Sequence, residues 1–286
     1  MRAYERFLQQ PMAFWANIRA ISQEVGYSVR GEDSVKVPTW SEIRAAMRST
    51  GLGVSHLEEP EGSPTPLGLE VMSYFEYRAA VLNEVVQHNL MMADEAGPIF
   101  EKLRDELNPT CPLPGNKQKG DKAGPALFTG IINMIIEANA EGVPVDYDPR
   151  KLTTVTRDGA PLRTLSRRVD GAIPGHVNPI AVWEIKEYYY TTTFGSRVAD
   201  GVYESLLDGM ELEELQEHEG VEVQHILMVD AHYTWWTCGK SYLCRIIDML
   251  HMGYIDEVLF GREVVERLPE VVKVWVAEYR VRTEGR

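Results

Sequence analysis

Leu162–Thr193 reads LRTLSRRVDGAIPGHVNPIAVWEIKEYYYTTT. Two β-type runs, Leu162–Ile173 and Ile180–Tyr190, flank Pro174-Gly175-His176-Val177-Asn178-Pro179, a stretch dense in strand-breaking residues. The first run carries Arg167, Arg168 and Asp170. The second is apolar and aromatic except for Glu184, Lys186 and Glu187. Strand residues two apart share a face, so Glu184 and Lys186 aim at one spot with Val182, while Trp183 and Ile185 pack on the other side. Carboxylates and an ammonium group in a buried sheet are costly unless they are paired or share a cation or a phosphate.

Working outward, the chain predicts a helix over Ala126–Glu141 with Leu127, Ile131, Met134, Ile135 and Ala138 facing the core. A strand-like KLTTVTRDG follows, whose Asp158-Gly159 signals a hairpin turn. Beyond the central stretch, Gly195–Glu217 predicts a helix with the apolar set Val198, Val202, Leu206, Leu207, Met210 and Leu215. Val221–Tyr233 then predicts a strand, Ser241–Phe260 a helix and Val271–Val281 a last strand. The expectation is an α/β fold, a mixed β-sheet flanked by helices.

Upstream, residues 1–50 have helical spacing, and Thr39 with Glu42 forms a capping-box signal for a helix Trp40–Ser49. Gly51–Leu57 offers a short second helix, hence a helix-turn-helix. The Pro-rich stretch Glu58–Pro66 is a linker, and Leu67–Leu107 is helical with a break near Gly97-Pro98. Its apolar stripe is Leu69, Met72, Phe75, Tyr77, Val81, Leu82, Val85, Val86, Leu90 and Met91, the ordinary pattern of a packed helix. Asn108–Pro125 is a basic loop with Lys117, Lys119 and Lys122. The expected division is a helical N-terminal region, 1–112, and a second domain, 113–286.

With 286 residues, 44% of them hydrophobic, the chain buries a substantial core. There is no run of about 18 apolar residues to cross a membrane. The opening MRAYERFLQQPMAFW lacks the apolar run of a secretory signal. Cys111, Cys238 and Cys244 have no paired spacing, which argues against a disulfide framework and a structural zinc site. A cytoplasmic protein is the simplest expectation. The net charge of −14 disfavours coating nucleic acid through bulk charge, but Gly115–Asp170 holds nine basic against seven acidic residues. The approach to the central stretch is thus relatively basic within an acidic chain.

Hydrolysis of a phosphodiester needs a hard cation, an in-line water and electrostatic stabilisation of the transition state. Asp170 and Glu184 supply oxygens for Mg²⁺ if their strands are neighbours, the Ile185 carbonyl adds a third, and Lys186 orients or deprotonates the water. Glu184-Ile185-Lys186 is the only acid-x-Lys in the chain, with Asp170 fourteen residues before Glu184. This arrangement resembles the PD-(D/E)xK nuclease superfamily, most closely a type II restriction endonuclease, over about residues 126–260. The resemblance implies a restriction-endonuclease-like core, with Asp170 and Glu184 as metal ligands and Lys186 as catalytic lysine. The added acid that many members take from the helix before the sheet is Glu137, with Glu141 as second choice. Val169 stands where the family motif has proline.

Arg167, Arg168, Arg197 and the loop lysines are candidates for DNA phosphate, and Tyr188–Thr193 for the DNA path. Three other signals fail. Gly239-Lys240-Ser241 lacks the P-loop's upstream glycine, His218, His225 and His232 are too widely spaced for zinc, and pairing Asp230 with Glu184 as a glycosidase leaves Lys186 unexplained. The expected function is a Mg²⁺-dependent endonuclease on double-stranded DNA. It would act as a homodimer on a palindromic site, with the helical N-terminal region, 1–112, serving DNA recognition or dimerisation, and with no membrane association and no nucleotide cofactor. The alternatives are a repair or junction-resolving nuclease of the same fold, an antiviral effector, or a non-catalytic DNA-binding scaffold.

Overall fold

The structure, a computed structural model, describes residues 1–29, 31–116, 118–120, 123–190 and 195–284. Lys117, Lys122 and Thr191–Thr193 lie outside the described residues.

The N-terminal helices are α1 (Glu5–Leu8), α2 (Met12–Val25), α3 (Trp40–Ser49) and α4 (Pro66–Ala80), which runs through a π-helical stretch, Val81–Val86, into α5 (Gln87–Asn89). At the start of α3, Thr39 Oγ1 accepts from the Glu42 N–H at 3.3 Å, and Glu42 Oε2 accepts from the Thr39 N–H at 2.9 Å, so the capping box is formed. Then come α6 (Ala93–Leu107), α7 (Leu127–Asn139), a hairpin of β1 (Thr154–Arg157) and β2 (Ala160–Thr164), β3 (Gly171–Ile173) and β4 (Ala181–Lys186). The chain continues through α8 (Ser196–Glu219), β5 (Gln224–Val229), α9 (Lys240–His251), β6 (Glu257–Phe260) and α10 (Glu263–Glu284). Asp158 (φ 51°) and Gly159 (φ 82°) both take the left-handed conformation that a two-residue hairpin turn needs.

The central sheet has the order β3-β4-β5-β6. β3 runs antiparallel to β4, and β4, β5 and β6 are mutually parallel, so the sheet is mixed. On one face Trp183, Ile226, Met228 and Leu259 pack against α7 and α10, with Trp183 stacked on Trp275 at 5.5 Å between ring centroids. On the other face Val182 meets Leu212 and Leu215 of α8, while Leu227, Val229 and Val258 meet Leu243, Ile246 and Ile247 of α9. The result is an α/β/α sandwich. The N-terminal helices form a third core around Phe7, Phe14, Trp15, Ile18 and Tyr74, closed by Met252 and Tyr254 after α9.

Several expectations are corrected. Leu162–Ile173 is not one strand: β2 ends at Thr164, and the chain crosses to β3 in the other sheet. Side chains capture the crossing, since the Ser166 N–H and hydroxyl donate to Glu211 at 2.9 and 2.7 Å and Arg167 reaches Asp208. Ser241–Phe260 is not one helix: Gly253 (φ 85°) closes the turn after α9, and Glu257–Phe260 is the edge strand β6. Val271–Val281 is helix rather than strand. Val264, Leu268, Val271, Val272, Trp275 and Val276 are buried at helical spacing, whereas Val274 and Val281 face outward.

No second helix follows Gly51; Ser55–Leu57 turns back, so a helix-turn-helix is not formed. Glu58 there is clamped by Arg44 and Arg48. The helical break falls at Leu90–Met92, not at Pro98, which lies within α6. There the backbone leaves the helix to pair Met91 with Ala231, and the His232 N–H donates to the Met91 carbonyl at 2.9 Å. Leu69, Val85, Leu207 and Met210 are exposed rather than core, as is Ala138 on α7.

Candidate active site at the sheet edge

The antiparallel register pairs Gly171 with Trp183, so one step further Asp170 stands opposite Glu184. The Asp170 N–H donates to the Trp183 carbonyl at 3.1 Å, and Asp170 Oδ2 accepts from the Ile185 N–H at 2.8 Å. In an extended strand a residue's N–H and C=O point to the same side. The Ile185 carbonyl therefore looks past the end of β3, on the side where Asp170 sits. Gly171 makes this approach possible: a Cβ there would lie 2.1–2.4 Å from the Trp183 indole.

Glu184 and Lys186 share the face toward α8, and Lys186 Nζ lies 2.8 Å from Glu184 Oε2. Glu184 is fully buried and Lys186 is 5% exposed. The lysine stem runs beside Gly201 of α8, where a Cβ would come within 3.3 Å of Lys186 Cδ and 3.0 Å of the Tyr188 hydroxyl. Burial alone would lower the Lys186 pKa, but Glu184 and Asp170 outweigh it and hold the ammonium above its ordinary value. Burial likewise opposes ionisation of Glu184, and Lys186 and Arg167 overcome it, keeping this carboxylate below the usual range. Asp170 keeps an accessible face, yet desolvation of the carboxyl where it turns onto the sheet, together with the negative charge of Glu184, pushes it up to about 6.

Arg167 does not reach toward solvent as a free phosphate contact. Its Nη1 lies 2.9 Å from Glu184 Oε1 and 2.5 Å from Asp208 Oδ2, and its Nη2 lies 3.3 Å from Glu204 Oε2. Asp208 is fully buried, and burial with the Glu184 charge pushes its carboxyl up to about 7. The sequence reading missed Asp208 and Glu204. Asp208 lies on the face of α8 that buries Gly201, Ser205, Leu212 and Leu215, which only the packing marks as inward, and an acid on such a face calls for a partner.

Glu137 is not part of this constellation. It sits on α7, which covers the Trp183 face of the sheet, and its carboxylate accepts from the Thr110 N–H at 2.9 Å and from the Thr110 hydroxyl. Glu141 pairs with Arg280. Glu187 turns to the start of α7 and accepts from the Thr129 N–H at 3.0 Å and hydroxyl at 2.8 Å. Arg168, Lys119 and Arg197 are exposed, with Arg197 in the first turn of α8. Tyr188–Tyr190 are half-buried, and the Tyr188 hydroxyl donates to the Arg197 carbonyl at 3.2 Å.

Among the described residues no group of three or more His, Cys, Asp or Glu side chains is arranged to hold a metal by side chains alone. The Asp170–Glu184 pair is nonetheless suited to a hard cation. Its donors are all oxygen, the Ile185 carbonyl stands on the same edge, and a cation would relieve both the desolvation and the Glu184 repulsion that raise Asp170.

No curated protein and no solved structure matches the chain. A family model described as a domain of unknown function, DUF7690, matches residues 1–85. A second, DUF7687, matches residues 91–275, which hold the whole central sheet and every residue of the site. On that match, which spans more than half its length, the chain belongs to the family described as domain of unknown function DUF7687.

Proposed function

We propose that the protein is a Mg²⁺-dependent endonuclease of the PD-(D/E)xK type that hydrolyses phosphodiester bonds in double-stranded DNA, as a restriction enzyme does. The observation that carries the reading is the convergence of Asp170, Glu184 and Lys186 at one end of the β3–β4 ladder, with Lys186 Nζ 2.8 Å from Glu184 Oε2. Asp170, Glu184 and the Ile185 carbonyl would hold the cation, which when bound draws charge from a phosphate oxygen.

The chain's own groups do the rest. Glu184 keeps Lys186 charged and fixes its direction, so the lysine acts as an ammonium donor that orients the attacking water and offsets charge on the phosphate. A charged lysine is a poor proton acceptor, which favours orientation over deprotonation as its role. Asp170 is tied to the Ile185 N–H and so holds its position without a ligand. The exposed Arg168, Lys119 and Arg197 remain candidates for DNA phosphate, and a homodimer on a palindromic site is the proposed assembly.

A second reading, a non-catalytic scaffold on a nuclease-like fold, draws on Arg167, whose guanidinium covers Glu184 Oε1 where a ligand would bind. Incubation of phage DNA with the protein and Mg²⁺ separates the readings. The nuclease proposal expects discrete fragments that vanish on adding a chelator. An even smear would contradict the sequence-specific part, and unmodified, unmethylated DNA left intact would favour the scaffold.

A further inference from the structure

Glu184 has one cation on each oxygen. Lys186 Nζ lies 2.8 Å from Oε2, and Arg167 Nη1 lies 2.9 Å from Oε1. A fully buried carboxylate cannot stay ionised without such partners. The two cations differ in what else holds them. Lys186 is buried, its stem wedged against Gly201. Arg167 keeps about a quarter of its side chain exposed, at 23%, and rests on two further carboxylates of α8. One of these is Asp208, 2.5 Å from Nη1 and wholly buried, with its other oxygen lacking a hydrogen-bond partner. The second is Glu204, 3.3 Å from Nη2.

A divalent cation that takes an oxygen of Glu184 repels the guanidinium beside it. Among the described residues both cations reach Glu204, Lys186 Nζ at 3.7 Å and Arg167 Nη2 at 3.3 Å, but Arg167 alone also pairs with the buried Asp208 and so has a carboxylate of its own to move onto. We propose that Arg167 is a displaceable internal counter-ion of Glu184, and that Asp208 is the positioning residue that holds the arginine when a divalent cation takes its place. This rests on the reading of Asp170 and Glu184 as a cation site. Arg167 is then a competitor for that site, and Asp208 moderates the competition by drawing the guanidinium toward α8.

Calorimetric titration with Ca²⁺, which needs no turnover, tests this on wild type, Arg167→Gln, Asp208→Asn and the double variant, each checked for a native circular-dichroism spectrum. Arg167→Gln should tighten Ca²⁺ binding by about tenfold, since a competitor is gone, and Asp208→Asn should weaken it by a similar factor. In the Arg167→Gln background the Asp208→Asn effect should shrink to within about twofold, because no arginine remains to be held. Arg167→Lys, which keeps the charge, should bind near the wild-type level. Equal Asp208→Asn effects in both backgrounds would overturn the proposal and leave simple charge effects as the explanation. Weaker binding by Arg167→Gln would also overturn it. Ca²⁺ bound by none of the proteins would overturn the cation reading along with it.

Discussion

Glu184 is the residue on which the site depends, because two cations and the end of a strand are organised around one buried carboxylate. Glu184→Ala leaves Lys186 and Arg167 without it in a buried setting and should destabilise the fold by about 3–5 kcal/mol in urea denaturation. A cost below about 1 kcal/mol would mean that the cations find other partners. Gly171 gives a steric counterpart. In Gly171→Ala the new methyl would meet the Trp183 indole at 2.1–2.4 Å, and stacking on Trp275 stops the ring from yielding. Overpacking of this kind costs about 1–3 kcal/mol and should displace Asp170 next door, so Ca²⁺ affinity should fall as well.

At this scale Asp170, Glu184 and Lys186 were legible in the sequence, because period-two spacing and a charged motif inside an apolar run are local signals. Asp208 was not. It comes from a helix that begins ten residues after Lys186, and only packing reveals which α8 acids turn inward. Glu137 was misread for the converse reason, since its helix covers the face away from the motif.

Elements were readable where a local device sets them. The capping box of α3 and the Asp158-Gly159 turn are short-range chemistry, and both form as expected. Thr39→Ala should therefore cost about 1 kcal/mol, read as a lower urea midpoint with an unchanged slope. A change of slope would show instead that residues 1–50 unfold apart from the rest. Elements were misread where propensity and packing conflict. β-branched valines suggested a strand over Val271–Val281, but the buried set repeats every three to four residues and buries Trp275 against Trp183. β6 is four buried residues after a helix, too short for periodicity to mark.

Across the whole molecule, the N-terminal helices are joined to the sheet layers through a buried ion pair. Arg78 of α4 lies 3.0 Å from Asp248 of α9, and the Tyr74 hydroxyl donates to the same carboxylate at 2.6 Å. Asp248→Ala strands both groups and should cost about 3–5 kcal/mol, with loss of a single cooperative transition if the two parts then melt separately. Asp230, fully buried at the end of β5, gives a pH signature. Burial and the nearby Glu187 raise its carboxyl well above the ordinary value. The unfolded chain then releases this proton at lower pH than the folded one, so its contribution is fully present below about pH 4 and is lost as pH rises toward the folded value. Asp230→Asn should gain stability relative to wild type between pH 4.5 and pH 8, and a constant difference would show that Asp230 is ionised in the fold.

The mixed α/β architecture was legible from the order of elements, and the site from one motif. How α8 closes over it depended on contacts far apart in sequence. The proposed role of Glu184 and Lys186 as the catalytic centre of a DNA-cleaving enzyme is tested by Mg²⁺-dependent cleavage of one plasmid with wild type, Glu184→Gln and Lys186→Ala. The expected result is cutting by wild type and none by either variant, with both variants folded by circular dichroism. Cutting that survives both substitutions would contradict it.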